Sequence, residues 1–507
     1  MKQICADQAY ALHTVAATRQ FETRAASGLP AHCLMQRAGA ATARLALALA
    51  PHAARIWIAC GSGNNGGDGL EAAARLHQAG KRVTVTWLGK PDSTPADARA
   101  AWQRAQTAGV VFVPGPPADL GPHDLCIDAL LGIGLRAASR AQRPVAPALQ
   151  SLLRALRTSA ATLLAVDLPS GLDADTGQYA AGLAPDTDTA AAAPRHTLSL
   201  LTLKPGLFTA RGRDACGSVW LDDLGCGALA PAATAQLGID DPLRRAPPRA
   251  LAQHASHKGS FGDVAVIGGE GLQARGMGMT GAAWLAGGAA VFGGAGRVMV
   301  ALLDDGLTLA PPWPELMLRR VGALDLAQLT VVCGCGGGEA VRAVLPAVLA
   351  RAQRLVLDAD GLNAIAGDAL LAAALRARAG SGQSTILTPH PLEAARLLQT
   401  TTTQVQSDRL AAAQTLANRY LCTVVLKGSG TVTATPGELT IINPTGNARL
   451  ATAGTGDVLA GLAGARLAQG LAPHHAASQA VYTHGAAADR WPAHQALTAS
   501  ALATALQ

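Results

Sequence analysis

Arg55-Ile-Trp-Ile-Ala-Cys60, followed at once by Gly61-Ser-Gly-Asn-Asn-Gly-Gly-Asp-Gly69, decides the fold of the first half of this chain. A short apolar run bounded by glycine reads as a buried strand. The glycines that follow let the backbone approach a ligand closely and aim N–H groups at an anion, helped by the start of a helix. A helix is expected over residues 70–79 and a second strand over 83–88. Further strands are expected at 125–128 and 163–167, each ending on an aspartate. Strands alternating with helices build a parallel, doubly wound sheet.

Gly61, Gly63 and Gly66 have the spacing of a dinucleotide fingerprint. That fingerprint also needs an acidic residue about 20 residues on. The stretch 83–90 contains no Asp or Glu, which disfavours an ordinary nicotinamide oxidoreductase. Asn64, Asn65 and Asp68 instead add polar groups beyond what a phosphate turn needs. Two more strand-end loops are Asp128-Ala-Leu-Leu-Gly-Ile-Gly134 and Asp167-Leu-Pro-Ser-Gly-Leu-Asp173. Ligands bind at the carboxyl ends of such strands. Oxygens of Asn65, Asp128 and Ser170, brought together there, suit a hard cation.

The bulk properties narrow the function. A chain of 507 residues makes two large domains or three small ones. With 49% hydrophobic residues, 15% charged and 3% aromatic, it has a core of small side chains and is not disordered. The net charge of +7 comes without any run of five Lys or Arg. Nucleic acid is therefore not an expected partner, whereas an anionic small molecule is. The nine cysteines are scattered and Cys333-Gly-Cys335 is too close for a zinc pair, which implies a reduced, cytoplasmic protein. Residues 1–22 contain no apolar secretory core, and the apolar stretch 280–295 is short and glycine-rich. Buried helices are expected there rather than a membrane span. A homo-oligomer is expected.

Residues 226–249, with Pro231, Pro242, Pro247 and Pro248, read as a linker between a domain of residues 1–225 and one of residues 250–507. In the second domain strands are expected at 264–267, 329–332, 355–358, 384–387 and 423–426. Their ends carry Gly334-Cys-Gly-Gly-Gly338, Asp358-Ala-Asp-Gly-Leu-Asn363, Thr388-Pro-His-Pro-Leu-Glu393 and Lys427-Gly-Ser-Gly-Thr431. Asn443-Pro-Thr-Gly-Asn447 and Thr452-Ala-Gly-Thr-Gly-Asp457 follow, ahead of a helix over 458–467. Small residues at a helix start form an anion hole from backbone N–H groups, and Asp457 stands beside it as a base. Phosphoryl transfer to an alcohol needs that pair. His390 reads as a substrate contact and Lys427 as a phosphate contact.

Over residues 1–225, Asn64-Asn-Gly-Gly-Asp-Gly69, Asp128–Gly134, Asp167–Asp173, Lys204-Pro-Gly-Leu207 and Leu34-Met-Gln-Arg-Ala-Gly39 resemble the NAD(P)H-hydrate epimerases. The resemblance implies a Rossmann-like three-layer sandwich that interconverts the R and S hydrates. It implies a potassium ion on Asn65, Asp128 and Ser170. The substrate would lie on Asn64, Asn65, Gly66, Gly67, Asp68, Gly132, Ile133, Gly134, Leu135, Arg136, Ala137, Ala138 and Asp167, with Asp167 as acid/base.

Over residues 250–507 the motif set resembles the ribokinase-like, ADP-dependent NAD(P)H-hydrate dehydratases. The resemblance implies a ribokinase-like sheet with flanking helices, and ADP on Lys427, Gly428, Ser429, Gly430, Thr431 and Gly456. It implies NADHX or NADPHX on Ala282, Gly338, His390 and Asp457, and magnesium with the nucleotide. The chain departs from the family pattern at Cys335, Gly337 and Leu392. Two other readings stay open at this level. One is a vitamin or sugar kinase of the ribokinase superfamily with an accessory N-terminal ligand-binding domain. The other is a first half that binds without catalysing.

Overall fold

The computed structural model describes residues 1–135, 145–186, 193–239, 254–304 and 310–506. The chain folds as two compact units, Met1–Cys5 with Tyr10–Ala235, and Ala6–Ala9 with Gln236–Gln507.

The first unit is built on a sheet whose order is Lys2–Gln3, Ser218–Asp222, Arg195–Leu200, Thr162–Val166, Leu125–Ala129, Ile56–Cys60, Val83–Trp87, Val111–Phe112. All neighbours pair in parallel except the short first strand. Ile58 faces Val85 on one side and Ile127 on the other. The buried Ile58, Val85 and Ile127 pack with Leu45, Leu70 and Ala101 from three helices, Cys33–Leu49, Asn64–Gln78 and Ala96–Thr107. Trp57 and Ala59 point the opposite way, onto Leu152 and Leu156 of the helix Pro147–Thr158. Alternate residues of one strand thus bury on two layers of helix, which gives the expected three-layer sandwich.

The glycine run differs from its sequence reading. Asn64–Gly69 is not a loop: the helix starts at Asn64, with Gly63 as its N-cap. The glycines are there for close packing as well as for a ligand. A Cβ on Gly66 would lie 2.0 Å from the Gly61 carbonyl oxygen, and one on Gly67 would lie 2.6 Å from Met35. The Gly61 backbone leaves no room for a side chain at Gly66, and the Ala98 Cα, 2.8 Å from a Cβ on Gly67, crowds that position as well.

In the second unit the sheet order is Leu316–Leu318, Arg297–Leu303, Asp263–Glu270, Thr330–Cys333, Arg354–Leu357, Ser384–Leu387, Thr423–Leu426, Val432–Ala434, Ile441–Ile442, Ala235–Leu237. Pairing is parallel from Leu316 to Leu426 and antiparallel at the two steps after it. Ala265 and Ile267 join one core, and Val264 and Val266 join the core on the other face. The expected apolar stretch at 280–295 is the helix Thr280–Phe292, packed against the helix Thr455–Ala468. A Cβ on Gly461 would lie 2.0 Å from the Ala286 carbonyl oxygen. Small residues therefore let these two helices touch nearly backbone to backbone, which accounts for an alanine-rich core. No helix among the described residues is long and apolar enough to cross a membrane.

Of residues 226–249, read from sequence as linker, 240–249 lie outside the described residues. Ala235–Leu237 form a strand, with Gln236 and Leu237 paired in parallel to Ile441 and Ile442. Three residues carry too little periodicity to reveal a strand.

Candidate active sites

In the first unit the chain order reverses between the adjacent strands Ile56–Cys60 and Leu125–Ala129, and the loops that leave them part. Such a switch point leaves a crevice at the strand ends. The crevice here is a cavity of about 700 Å³, lined among others by Asn64, Asn65, Asp68, Gly132, Ile133, Gly134, Leu135 and Asp167. Sequence-expected residues from one helix start and two strand-end loops thus line one cavity. Arg136, Ala137 and Ala138 lie outside the described residues. Gly66 and Gly67 are buried in the first turn of the helix behind the cavity.

Asp167 follows its strand with φ of 68°, a conformation that costs a non-glycine residue energy. Its carboxylate is held there by the Leu200 N–H at 3.1 Å and by the Lys204 ammonium. Lys204 is fully buried and donates also to the Leu200 carbonyl at 2.8 Å. The sequence reading quoted Lys204 in a motif but gave it no role. Asp68 sits near Asp167; burial, then Asp167 and Glu22, push its pKa well above the usual carboxylate range.

Asp128, Ser170 and Asn65 gather around the backbone of 130–132. The Ser170 hydroxyl donates to Asp128 Oδ1 at 2.6 Å, and the Leu131 N–H donates to Ser170 Oγ at 2.8 Å. A Cβ on Gly132 would lie 3.1 Å from the Asn65 Cβ. Burial raises the pKa of Asp128 against its bonds to Ser170, and among the described residues no ion pair reaches it. Among the described residues the buried Asn65 amide nitrogen has no hydrogen-bond partner. A desolvated carboxylate in no direct ion pair among the described residues, beside a hydroxyl and an amide, fits a hard monovalent cation.

The second unit brings Asp457 to the first turn of the helix Thr455–Ala468, whose N-cap Gly454 has φ of 90°. This helix also begins earlier than expected, because Gly454 in the left-handed region lets the chain turn directly into it. Burial and the nearby Asp358 raise the Asp457 pKa to about 6. Lys427 donates to Asp358 at 2.8 Å, and a Cβ on Gly456 would lie 3.3 Å from its Nζ. Burial opposes the Lys427 charge, but Asp358 and Glu393 outweigh it and its pKa lies above the ordinary lysine value. The ammonium therefore faces both Asp358 and the helix start, a position for a transferred anion. Cys335, Asp358 and Asp457 offer ligand atoms within 4.8 Å of one another. A thiol and a lysine-bound carboxylate do not make an oxygen cage for magnesium.

The comparisons agree with this geometry. Residues 31–206 match the family model described as YjeF-related protein N-terminus, and residues 264–507 match that described as NAD(P)H-hydrate dehydratase. The chain is 35% identical over 477 residues to the bifunctional NAD(P)H-hydrate repair enzyme Nnr of Coxiella burnetii, covering 92% of this chain and 91% of that protein. The chain belongs to the bifunctional NAD(P)H-hydrate repair enzymes. It is also 35% identical to the Escherichia coli member over 91% of this chain and 85% of that one. Its second half is 44% identical to the ADP-dependent (S)-NAD(P)H-hydrate dehydratase of Neisseria meningitidis, over 46% of this chain and 78% of that protein.

Within this member of the repair-enzyme family, His390 caps the helix Pro391–Leu398. Its Nδ1 accepts the Leu392 N–H at 3.1 Å, and its Nε2 lies 3.3 Å from the Glu393 carboxyl. The ring remains 46% exposed, so a ligand can still reach it. Burial raises the pKa of Glu393 to about 7. Ala282 lies in the first turn of the helix Thr280–Phe292, and a Cβ on Gly336 would come within 2.9 Å of its side chain. Gly338 (φ of 52°) abuts the Arg275–Glu270 ion pair, where a Cβ would lie 2.1 Å from Glu270 Oε2. Leu392 is exposed, and Cys335 is buried with glycines in the left-handed region on both sides.

Several working residues escaped the sequence reading. Arg409 is buried and donates to the carbonyls of Leu426 and Lys427, fixing the strand end that carries Gly428–Thr431. Asp489 accepts the Gly446 N–H at 2.7 Å and the Asn447 amide at 2.9 Å, holding Asn443–Asn447 to the helix Pro473–Arg490. His484 donates to the Thr455 carbonyl at 2.9 Å behind the Asp457 turn, and burial lowers its pKa to about 4. Each acts across more than 15 residues of sequence, with no local motif to mark it.

Proposed function

We propose that this chain repairs hydrated nicotinamide dinucleotides, as the names of its relatives imply. The first unit interconverts the R and S forms of NADHX and NADPHX. The second dehydrates the S form at the expense of ADP. The observation that carries this is the grouping of Asp457, Asp358 and Lys427 at the start of the Thr455–Ala468 helix.

In the second unit, the substrate hydroxyl lies between Asp457 and the His390 loop, near Ala282 and Gly338. Asp457 accepts the hydroxyl proton as the oxygen takes the terminal phosphoryl group of ADP. Lys427, the N–H groups around Gly456 and the Gly428–Thr431 loop hold the phosphates. Phosphate then leaves with the oxygen while the neighbouring ring carbon loses a proton, restoring the double bond. Magnesium would ride on the nucleotide phosphates rather than on the Cys335, Asp358 and Asp457 group.

In the first unit, Asn64–Asp68 and Gly132–Ala138 line the dinucleotide, and Asp167 exchanges a proton with it. Asn65, Asp128 and Ser170 would hold a potassium ion, which would supply positive charge to the site. The domains run over residues 1–225 and 250–507. The nine free cysteines support a reducing, cytoplasmic setting. A homo-oligomer is tested by light scattering on the eluted protein.

Incubation with ADP and a mixture of R and S NADHX tests the reading. Full recovery of reduced-nicotinamide absorbance is expected. Recovery of only the S fraction would remove the epimerase assignment. No recovery with ADP or ATP would remove the dehydratase and leave a kinase of another alcohol.

A further inference from the structure

Four carboxyl groups line the cavity of the first unit; the reaction so far uses those of Asp68 and Asp167, and Asp97 is bonded to the His32 ring. The fourth is Glu22. It lies on the helix Val15–Ser27, which turns Thr18, Glu22 and Ala26 to the cavity at successive turns. Asp167 is tied to the buried Lys204 ammonium. The bonds from Lys204 and from the Leu200 N–H both end on Oδ1, which fixes this carboxylate in the cavity wall. Glu22 is in no ion pair among the described residues. The charged groups that face it are Asp167 and Lys204 from the opposite wall, Arg19 from its own helix, and Asp97. Burial, and then Asp167, raise its pKa above the usual carboxylate value, so more of it keeps a proton.

We propose that Glu22 is the proton donor of the epimerisation, with Asp167 as the complementary acceptor. The proposal rests on the repair-enzyme reading of the first unit. The inverted carbon carries a hydroxyl and is bonded to the ring nitrogen, so inversion requires the C–O bond to break and re-form on the other face. Glu22 protonates the hydroxyl. Water leaves with the C–O electron pair, and the nitrogen lone pair forms a C=N bond. A water molecule then adds from the opposite face, the C=N electrons return to nitrogen, and the added water gives its surplus proton to Asp167. One water leaves and one enters, one proton is given and one taken, and nothing is oxidised. The reverse reaction exchanges the two roles.

The test uses the full chain with Glu22→Gln and Glu22→Asp, following R-to-S conversion by separation of the two epimers. Turnover of pure S hydrate with ADP in the same samples reports an intact protein. Glu22→Gln is expected to lower epimerase kcat about 100-fold with KM nearly unchanged, and to abolish the fall of rate at high pH that a proton donor causes. Glu22→Asp is expected to restore part of kcat and the alkaline limb. Retention of kcat in Glu22→Gln, an unchanged pH profile, or no rescue by Glu22→Asp overturns the proposal. If Glu22→Gln does not fold, Glu22→Asp decides: an unchanged kcat overturns, and a lowered kcat with a displaced alkaline limb supports. Absence of interconversion in the unmodified chain would instead overturn the epimerase reading itself.

Discussion

Ser170 binds Asp128 twice: its hydroxyl donates to one carboxylate oxygen at 2.6 Å and its backbone N–H to the other at 2.9 Å. The pair joins the ends of two neighbouring strands, and among the described residues no ion pair reaches the buried Asp128. Asp128→Asn is expected to weaken potassium activation of the epimerase at least about tenfold. Rate against KCl concentration measures it. Ser170→Ala is expected to act in the same direction and less.

Asp457 is the base proposed for the second unit. With a pKa of about 6, raised by burial and Asp358, it is mostly ionised at neutral pH. A base works only when deprotonated, so dehydratase kcat should fall as pH drops through about 6. Asp457→Asn should lower kcat by about 100-fold or more and remove that acid limb. Epimerase turnover in the same samples should not change.

Lys427 and Asp358 form a desolvated pair, with side chains 19% and 2% exposed. Lys427→Met leaves the carboxylate buried and unpaired, a loss of about 3–5 kcal/mol in such settings. Thermal unfolding of the variant should show the second unit melting well below its normal temperature. A double variant with Asp358→Leu should regain part of the stability while staying inactive.

Gly66→Ala places a methyl group 2.0 Å from the Gly61 carbonyl oxygen, which is backbone and cannot swing away. Overpacking of this sort costs about 1–3 kcal/mol. The expected result is a lowered melting temperature of the first unit together with reduced epimerase activity. Gly63→Ala, at a position with nothing within 4 Å, is the control.

Asp489 closes the Asn443–Asn447 turn. Asp489→Ala takes this acceptor from the buried Gly446 N–H, which costs about 1–3 kcal/mol, while the exposed Asn447 amide keeps its bond to the Ala488 carbonyl. Dehydratase activity should fall with no direct ligand contact removed, and should be partly restored in Asp489→Asn. Comparison of the two variants at equal concentration decides it.

Most strands and the positions of both glycine-rich segments were legible in the sequence, because short continuous apolar runs such as Ile56–Cys60 and small-residue clusters such as Gly454–Asp457 encode themselves locally. The same locality explains the residues expected at strand ends, since a doubly wound sheet sends all of those ends to one rim. The sequence could not reveal that Asn64–Gly69 is helix. Glycine has a weak helical preference of its own, and it is Met35, Gly61 and Ala129, distant in sequence or outside the helix, that demand small residues there. Nor could it pair Lys204 with Asp167, Arg409 with the 426–427 carbonyls, or Glu22 with the cavity. Those relationships depend on which buried charge meets which partner after packing. The energy of a buried charge is set by neighbours in space, so only the tertiary structure decided them.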